Sequence, residues 1–212
     1  DRRQRQMCIR DRPNTDADWF RSSGLKLDER GYVTVDGYGR TNLDGVWALG
    51  DITPGHALAH RAFEQGITIA EKIAGADPKP VIDDTVPQVV FSFPEAASVG
   101  LTLDQAKARE DVVEPKETAY PMLSNARMLM SGEGGSMTVV SGAFANNPDM
   151  QVVLGVHIVS PIASDLIAEA EQLVGNRVPL ADAARLIHPH PTFSETLGEA
   201  LLKADGRPLH TR

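Results

Sequence analysis

Residues 135–159 read GSMTVVSGAFANNPDMQVVLGVHIV, two stretches rich in β-branched and apolar residues on either side of a polar break. The stretches 135–144 and 151–159 each have the composition of a β-strand. The break at 146–149 is Asn-Asn-Pro-Asp, which is typical of a tight turn because these residues favour turn conformations. The segment therefore predicts a β-hairpin with antiparallel strands.

The sequence around this hairpin contains several predicted helices and one further strand. Helices are predicted over residues 161–175 and 180–187, and a last one begins near Ser194. Residues 88–93 predict a strand, and the capping-box spacing of Thr-x-x-Gln at 102–105 predicts the start of a short helix. Because strands and helices occur in blocks, this part of the chain is predicted to have an α+β fold with an antiparallel sheet flanked by helices.

The preceding part of the chain has a different pattern. Residues 46–49 (Val-Trp-Ala-Leu) predict a buried strand that stops at Gly50-Asp51, and a helix is predicted over about residues 56–74. The apolar face of this helix, which is predicted to pack inward, consists of Phe63, Ile67, Ala70 and Ile73. The segment ADPKP at 76–80 predicts a domain boundary because it is rich in proline and charge.

Composition excludes several classes of function. The 212 residues include 21 Lys and Arg against 29 Asp and Glu, a net charge of −8 that disfavours nucleic-acid and anionic-membrane partners. No run approaches the roughly 20 apolar residues of a membrane-spanning helix, and no signal peptide is recognisable. Cys8 is the one cysteine, which excludes an intrachain disulfide. These features predict a soluble, cytoplasmic globular protein.

The first twelve residues, DRRQRQMCIRDR, differ in composition and periodicity from the rest of the chain. They contain five arginines and the cysteine, with no helical or strand periodicity. A basic arm that binds nucleic acid is one interpretation. We favour the other, that residues 1–11 are a non-native segment, and we therefore expect the native chain to continue upstream.

The stretch most suggestive of chemistry is His-Pro-His-Pro-Thr-Phe-Ser-Glu at 188–195. Two prolines restrict the backbone around His190, and a histidine side chain titrates near neutral pH, which suits proton transfer. Glu195 is close enough in sequence to hold the imidazole, as in general acid–base catalysis. Two alternatives remain: Thr192 and Glu195 have capping-box spacing, and His188 with His190 has the spacing of a metal-ligand pair, although no third ligand is evident.

A second candidate site is Gly50-Asp51, at the end of a predicted strand and before a predicted helix. A carboxylate in this position can accept hydrogen bonds from ligand hydroxyl groups, and the helix N-terminus favours a nearby phosphate. The alternative is an ordinary Asp turn in which the side chain caps the helix.

The ordered segments of residues 12–212 resemble the flavin-dependent disulfide reductases of the pyridine nucleotide-disulfide oxidoreductase family, and most closely the dihydrolipoamide dehydrogenase branch. The resemblance is carried by RPNT at 12–15, TNLDGVWALGDITPGHALAH at 41–60, PQVVFSFPEAASVGLT at 87–102 and HPHPTFSE at 188–195. It implies that residues 12–84 are the C-terminal part of an α/β FAD-binding domain. It also implies that residues 85–212 are a dimerisation domain.

The resemblance further implies roles for individual residues. Asp51 is expected to hydrogen-bond the ribityl chain of FAD, while Leu58, Ala59 and His60 lie against the flavin. His190 is expected to be the acid–base residue, held by Glu195. It would take a proton from a dihydrolipoyl thiol carried by a lipoyl protein or by dihydrolipoamide, and NAD⁺ would be the final electron acceptor. Because this loop serves the partner subunit's active site, a homodimer is expected.

The chain also departs from the family pattern. The glycine-rich nucleotide fingerprints and the redox cysteine pair are not present in these 212 residues. We therefore expect a C-terminal fragment that is inactive alone. The alternatives are a related reductase of another disulfide or a quinone, and a non-catalytic dimerisation module.

Overall fold

The computed structural model describes residues 13–211. The proposed non-native segment 1–11 and Cys8 lie outside the described residues. Contacts divide the chain between Asp83 and Asp84 into two compact units, called here the first and second unit.

The described part of the first unit, residues 13–83, has a small core and contains the helices α1 (Asp18–Ser22) and α2 (Ala59–Ile73). Its buried apolar cluster consists of Phe20, Val33 and Ala48. The prediction of a strand over residues 46–49 is wrong. Trp47 forms an isolated antiparallel bridge with Arg40 instead. Short 3-10 turns of the chain span Gly50–Ile52, Asp83–Thr85 and Met122–Ser124.

Helix α2 turns a different face inward from the one predicted. Phe63 and Ile73 are 71% and 63% exposed, whereas Arg61, Thr68 and Ile69 are buried. The physical reason is that polar partners are available on the inward side, where Arg61 Nε lies 2.6 Å from Asp83 Oδ1. Apolar periodicity identified the helix but assigned its buried face wrongly.

The second unit is built on a five-stranded sheet in which all strand pairs are antiparallel. Its strands are β1 (Gln88–Val90), β2 (Glu95–Gly100), β3 (Val112–Pro121), β4 (Ser136–Phe144) and β5 (Asn147–Ser160), in the spatial order β1-β2-β5-β4-β3. This arrangement confirms the predicted α+β fold with an antiparallel sheet.

The predicted hairpin is strands β4 and β5, but its turn is earlier and shorter than expected. Phe144 pairs with Asn147, so the turn residues are Ala145 and Asn146. Residues 147–150 continue β5 with their side chains exposed. The sequence predicted a longer turn because residues 147–149, at the exposed start of β5, are types that favour turns.

In residues 84–211 the sheet is accompanied by five helices: α3 (Leu103–Ala108), α4 (Ala126–Ser131), α5 (Ala163–Gly175), α6 (Leu180–Ala183) and α7 (Glu195–Ala204). The capping box at the start of α3 is confirmed, since Thr102 N–H donates to Gln105 Oε1 (2.8 Å) and Gln105 N–H donates to Thr102 Oγ1 (3.2 Å). Helix α6 is shorter than the predicted 180–187. None of the helices in residues 13–211 combines the length and hydropathy that a bilayer-spanning helix requires.

The main core lies between the sheet and helices α5, α6 and α7. Its fully buried side chains include Tyr120, Met137, Ile158, Leu197 and Leu201. Burial of side chains of this size contributes roughly 1.5–3 kcal/mol each. The core therefore holds the start of α7, and the loop that leads into it, in a defined place.

Candidate active site

The structure brings His190 and Glu195 together. His190 Nδ1 lies 2.9 Å from Glu195 Oε1. The glutamate is the first residue of α7, whereas His190 belongs to the preceding segment 188–194, called here the histidine loop. The glutamate side chain is 20% exposed and the histidine side chain 70% exposed. A well-anchored carboxylate thus holds an imidazole that is presented at the surface.

The second oxygen of Glu195 organises the loop backbone. Oε2 accepts a hydrogen bond from Thr192 N–H at 2.8 Å. Thr192 does not complete a capping box, because its Oγ1 donates to Pro189 O (2.7 Å) and the capping residue of α7 is Ser194. The capping-box interpretation is therefore wrong, although Glu195 still binds the loop backbone through one oxygen while its other oxygen binds the imidazole.

The electrostatics of Glu195 suit an imidazole partner. Burial by itself would raise the pKa of Glu195, but the hydrogen bonds from Thr192 and His190 outweigh it and lower the pKa below the ordinary value. Glu195 is therefore an anion at neutral pH and can only accept hydrogen bonds. In the neutral imidazole this places the proton on Nδ1 and leaves the lone pair on Nε2, which is the arrangement of a general base.

His188 has a different partner. Its Nε2 lies 2.7 Å from Glu169 Oε1 on α5, and its side chain is only 10% exposed. The hydrogen bond to Glu169 raises the pKa of His188, against the opposing effect of burial. Within residues 13–211 there is no cluster of three or more His, Cys, Asp and Glu side chains that could hold a metal ion. The two histidines are thus each paired with a carboxylate.

Sequence reasoning missed Asn125 and Glu169, which both contact the histidine loop. Asn125 Nδ2 donates to Thr192 O at 3.1 Å, across 67 positions of sequence. An Asn directly before a short helix is a capping signal, but nothing local indicates a partner so distant. Glu169 is 19 positions from His188, and no sequence pattern identifies that contact.

The other predicted site residues lie in the first unit. Asp51 is an exposed residue in the 3-10 turn Gly50–Ile52, which is held to α2 by the hydrogen bond from Gly50 N–H to Gln65 Oε1 (2.9 Å). Its carboxylate caps neither this turn nor α2, whose capping residues are Leu49 and Leu58. The capping alternative for Asp51 is therefore wrong.

Leu58, Ala59 and His60 form the beginning of α2. Leu58 is its capping residue, and Ala59 and His60 are its first two residues. Helix N-termini present backbone N–H groups and a partial positive charge, which favour an anionic ligand group. The exposed Asp51 carboxylate is an acceptor for hydroxyl groups, which is the chemistry that the ribityl chain of FAD would require of it.

Comparisons with known proteins identify relatives over most of the chain. Residues 86–201 match the pyridine nucleotide-disulphide oxidoreductase dimerisation domain, and residues 7–66 match a family model described as pyridine nucleotide-disulphide oxidoreductase. The dihydrolipoyl dehydrogenases of Cupriavidus necator and Bacillus subtilis are 41% and 38% identical to this chain, over 93% and 87% of its length. The chain spans 40% and 38% of those two relatives, or about two fifths of their length.

Two solved structures have a similar fold. LpdA from Mycobacterium tuberculosis is 30% identical and superposes with a TM-score of 0.80, covering 91% of this chain and 41% of that one. The HOCl-induced flavoprotein disulfide reductase RclA from Escherichia coli shares the fold, with a TM-score of 0.76 and 23% identity over 90% of this chain and 42% of that one.

Proposed function

Because this chain belongs to the pyridine nucleotide-disulphide oxidoreductase family, as the sequence resemblance predicted, we propose that it is the C-terminal part of a dihydrolipoyl dehydrogenase. The complete enzyme would oxidise dihydrolipoyl groups with FAD and NAD⁺. The observation that carries the proposal is the 2.9 Å contact between His190 and Glu195, in a chain whose curated relatives are named dihydrolipoyl dehydrogenases.

In this mechanism His190 is the acid–base residue. Its Nε2 lone pair takes the proton of a dihydrolipoyl thiol, which yields the thiolate, the reactive nucleophile in thiol–disulfide exchange. The Glu195 anion stabilises the imidazolium that forms and keeps the ring in one orientation. The surface exposure of His190 supports this role, because a thiol must reach Nε2.

The first unit would contribute to cofactor binding. Asp51 would accept hydrogen bonds from the ribityl hydroxyls of FAD, and Leu58, Ala59 and His60 would lie against the flavin. When bound, FAD supplies the two-electron transfer between the redox disulfide and NAD⁺. Residues 12–84 would be the end of the FAD-binding domain and residues 85–212 the dimerisation domain.

The proposal includes a homodimer in which the histidine loop serves the partner subunit. It also includes a lipoyl-bearing protein or free dihydrolipoamide as substrate, and a cytoplasmic location. The dimerisation-domain match over residues 86–201 supports the homodimer. A panel of dihydrolipoamide, glutathione disulfide and a quinone distinguishes this enzyme from the related reductases, since we expect turnover with dihydrolipoamide alone.

The first test is to determine the reading frame upstream of the DNA that encodes this chain. We expect it to encode a Cys-x4-Cys pair and, nearer its start, a G-x-G-x-x-G fingerprint. Absence of both would contradict the enzyme assignment and would leave a dimerisation module as the explanation.

The second test is His190→Gln in the full-length protein that carries this segment. Loss of a general base lowers turnover by about 10²–10⁴-fold, so we expect dihydrolipoamide oxidation to fall by that factor. His210→Gln is the matched control, because His210 is also exposed and also binds a glutamate of α7, with Nδ1 2.7 Å from Glu199 Oε1. Turnover of the His190 variant close to that of the control would overturn the proposed role.

A further inference from the structure

Among the described residues, two side chains from distant elements form hydrogen bonds with the histidine loop. Glu169 on α5 binds His188, and Asn125 at the start of α4 binds Thr192. Asn125 is 5% exposed and uses both ends of its amide. Its Oδ1 accepts from Met128 N–H at 3.0 Å, which caps α4, while Nδ2 donates to Thr192 O at 3.1 Å.

Thr192 passes this restraint on to the acid–base pair. Its carbonyl accepts from Asn125, and its N–H donates to Glu195 Oε2 at 2.8 Å. The other carboxylate oxygen of Glu195 lies 2.9 Å from His190 Nδ1. Three consecutive hydrogen bonds therefore connect a buried amide to the exposed imidazole.

The composition of the loop makes such an anchor necessary. Pro189 and Pro191 have no N–H group, so the loop cannot hold itself together with backbone hydrogen bonds at those positions. A second contact from the same short helix supports the arrangement, because the Arg127 guanidinium lies 5.5 Å from the centre of the Phe193 ring. The beginning of α4 thus supports Thr192 and Phe193 together.

The amide side chain is well matched to this position. Asparagine carries an acceptor and a donor in one planar group. The acceptor is needed to cap the helix, and the donor is needed to bind the Thr192 carbonyl. Aspartate would keep the cap but would place a second acceptor oxygen, with no hydrogen to donate, against the Thr192 carbonyl. Serine would keep a capping hydroxyl and lose the donor that reaches the loop.

We propose that Asn125 is a positioning residue for the acid–base pair, and this rests on the proposed function. By holding the Thr192 carbonyl, Asn125 fixes the Thr192 N–H that orients Glu195, and Glu195 in turn orients His190. Loss of the Asn125 amide leaves substrate contacts in place but lowers the fraction of molecules with an aligned imidazole. The effect therefore falls on kcat and spares KM.

The experiment compares Asn125→Ser and Asn125→Asp with the unmodified full-length enzyme, using dihydrolipoamide and NAD⁺. We expect kcat to fall about tenfold in each variant, as for loss of one orienting hydrogen bond, with KM changed by less than about twofold. Thr102→Ala is the matched control, since it removes the cap of α3, a helix of six residues like α4. It should lower the melting temperature and leave kcat unchanged.

A double-mutant cycle separates positioning from a general loss of structure. In the Glu195→Gln background, Asn125→Ser should reduce kcat by less than about twofold, because the group through which it acts is already altered. A full tenfold loss in that background would overturn the proposal. So would a wild-type kcat in both Asn125 variants, or a fall in kcat in the Thr102 control equal to theirs.

Failure of the proposed function would look different. If Glu195→Gln itself turns over dihydrolipoamide at the wild-type rate, the acid–base pair is wrong and the positioning role falls with it. If Glu195→Gln is slow while the Asn125 variants are normal, the pair stands and only the positioning role is refuted. Circular dichroism of Asn125→Asp, which keeps the capping acceptor, verifies that the fold is intact.

Discussion

At the scale of single residues, Gly198 shows how closely α7 and the histidine loop pack. A Cβ at this position would lie 2.5 Å from His188 Nδ1, nearer than two such atoms can approach. Alanine normally stabilises a helix relative to glycine by about 1 kcal/mol. We expect Gly198→Ala to destabilise the protein instead, as measured by its urea unfolding midpoint.

Gly66 in α2 provides the matched comparison for that substitution. Its added Cβ would have its nearest neighbour at 4.0 Å, from Leu49, so Gly66→Ala should raise the unfolding midpoint. Equal effects at Gly66 and Gly198 would show that helix propensity outweighs the contact with His188.

The pair of His188 and Glu169 predicts a pH-dependent stability. Because hydrogen bonding to Glu169 raises the pKa of His188 above the ordinary 6.5, the pair stabilises the fold fully below pH 6.5. The contribution is lost as the pH rises through the raised pKa. Glu169→Gln should therefore lower the unfolding midpoint most in mildly acidic buffer and least at alkaline pH. A difference between the proteins that does not change with pH would contradict this.

At the scale of helices and strands, Glu95 links the start of β2 to the N-terminal turn of α5. Its Oε2 accepts a hydrogen bond from Ser164 N–H at 2.9 Å, and this bond lowers the pKa of Glu95 below the ordinary 4.5. The stabilisation is present above pH 4.5 and is lost as the pH falls through the lowered value. Glu95→Gln should reduce stability at pH 7, as measured by chemical denaturation.

The acid limb of the same experiment provides the check. The unmodified protein and Glu95→Gln should converge in unfolding midpoint as the pH falls well below 4.5, because protonated Glu95 no longer offers an anion to the helix. Glu117 on β3 is an exposed glutamate whose replacement by Gln serves as control. A Glu117→Gln variant with the same pH dependence would show that the effect is one of overall charge.

At the scale of the whole chain, the two units differ in the size of their apolar cores. The second unit has a large buried cluster that joins its sheet to α5, α6 and α7, whereas the buried cluster of the first unit contains three of the residues that the structure describes. Stability scales with buried apolar area. We therefore expect the isolated 212-residue chain to unfold in two steps, with the first unit lost at the lower temperature.

Limited proteolysis measures this difference directly. Cleavage should begin within residues 13–83 and leave a resistant fragment that corresponds approximately to residues 84–212. A single cooperative transition, with both units cleaved at the same rate, would refute the expectation.

Local sequence patterns were sufficient for the hairpin around residues 135–159, for most helices and for the family. They also predicted that Glu195 would hold the His190 imidazole, because the two residues lie within one short motif. Strands β2 and β3 were missed, since charged and small residues such as those of EAASVG at 95–100 carry little strand signal without their partners. The inward face of α2 was predicted wrongly because an ion pair, absent from the apolar pattern, occupies it.

The sequence thus established the kind of domain, its antiparallel pairing and the histidine motif, because each depends on neighbours a few positions apart. Only the tertiary structure shows which side chains bind that motif. Asn125 and Glu169 reach it from 67 and 19 positions away, over distances that no local periodicity records. Such contacts arise when helices pack on a sheet, so they depend on the tertiary structure of the chain.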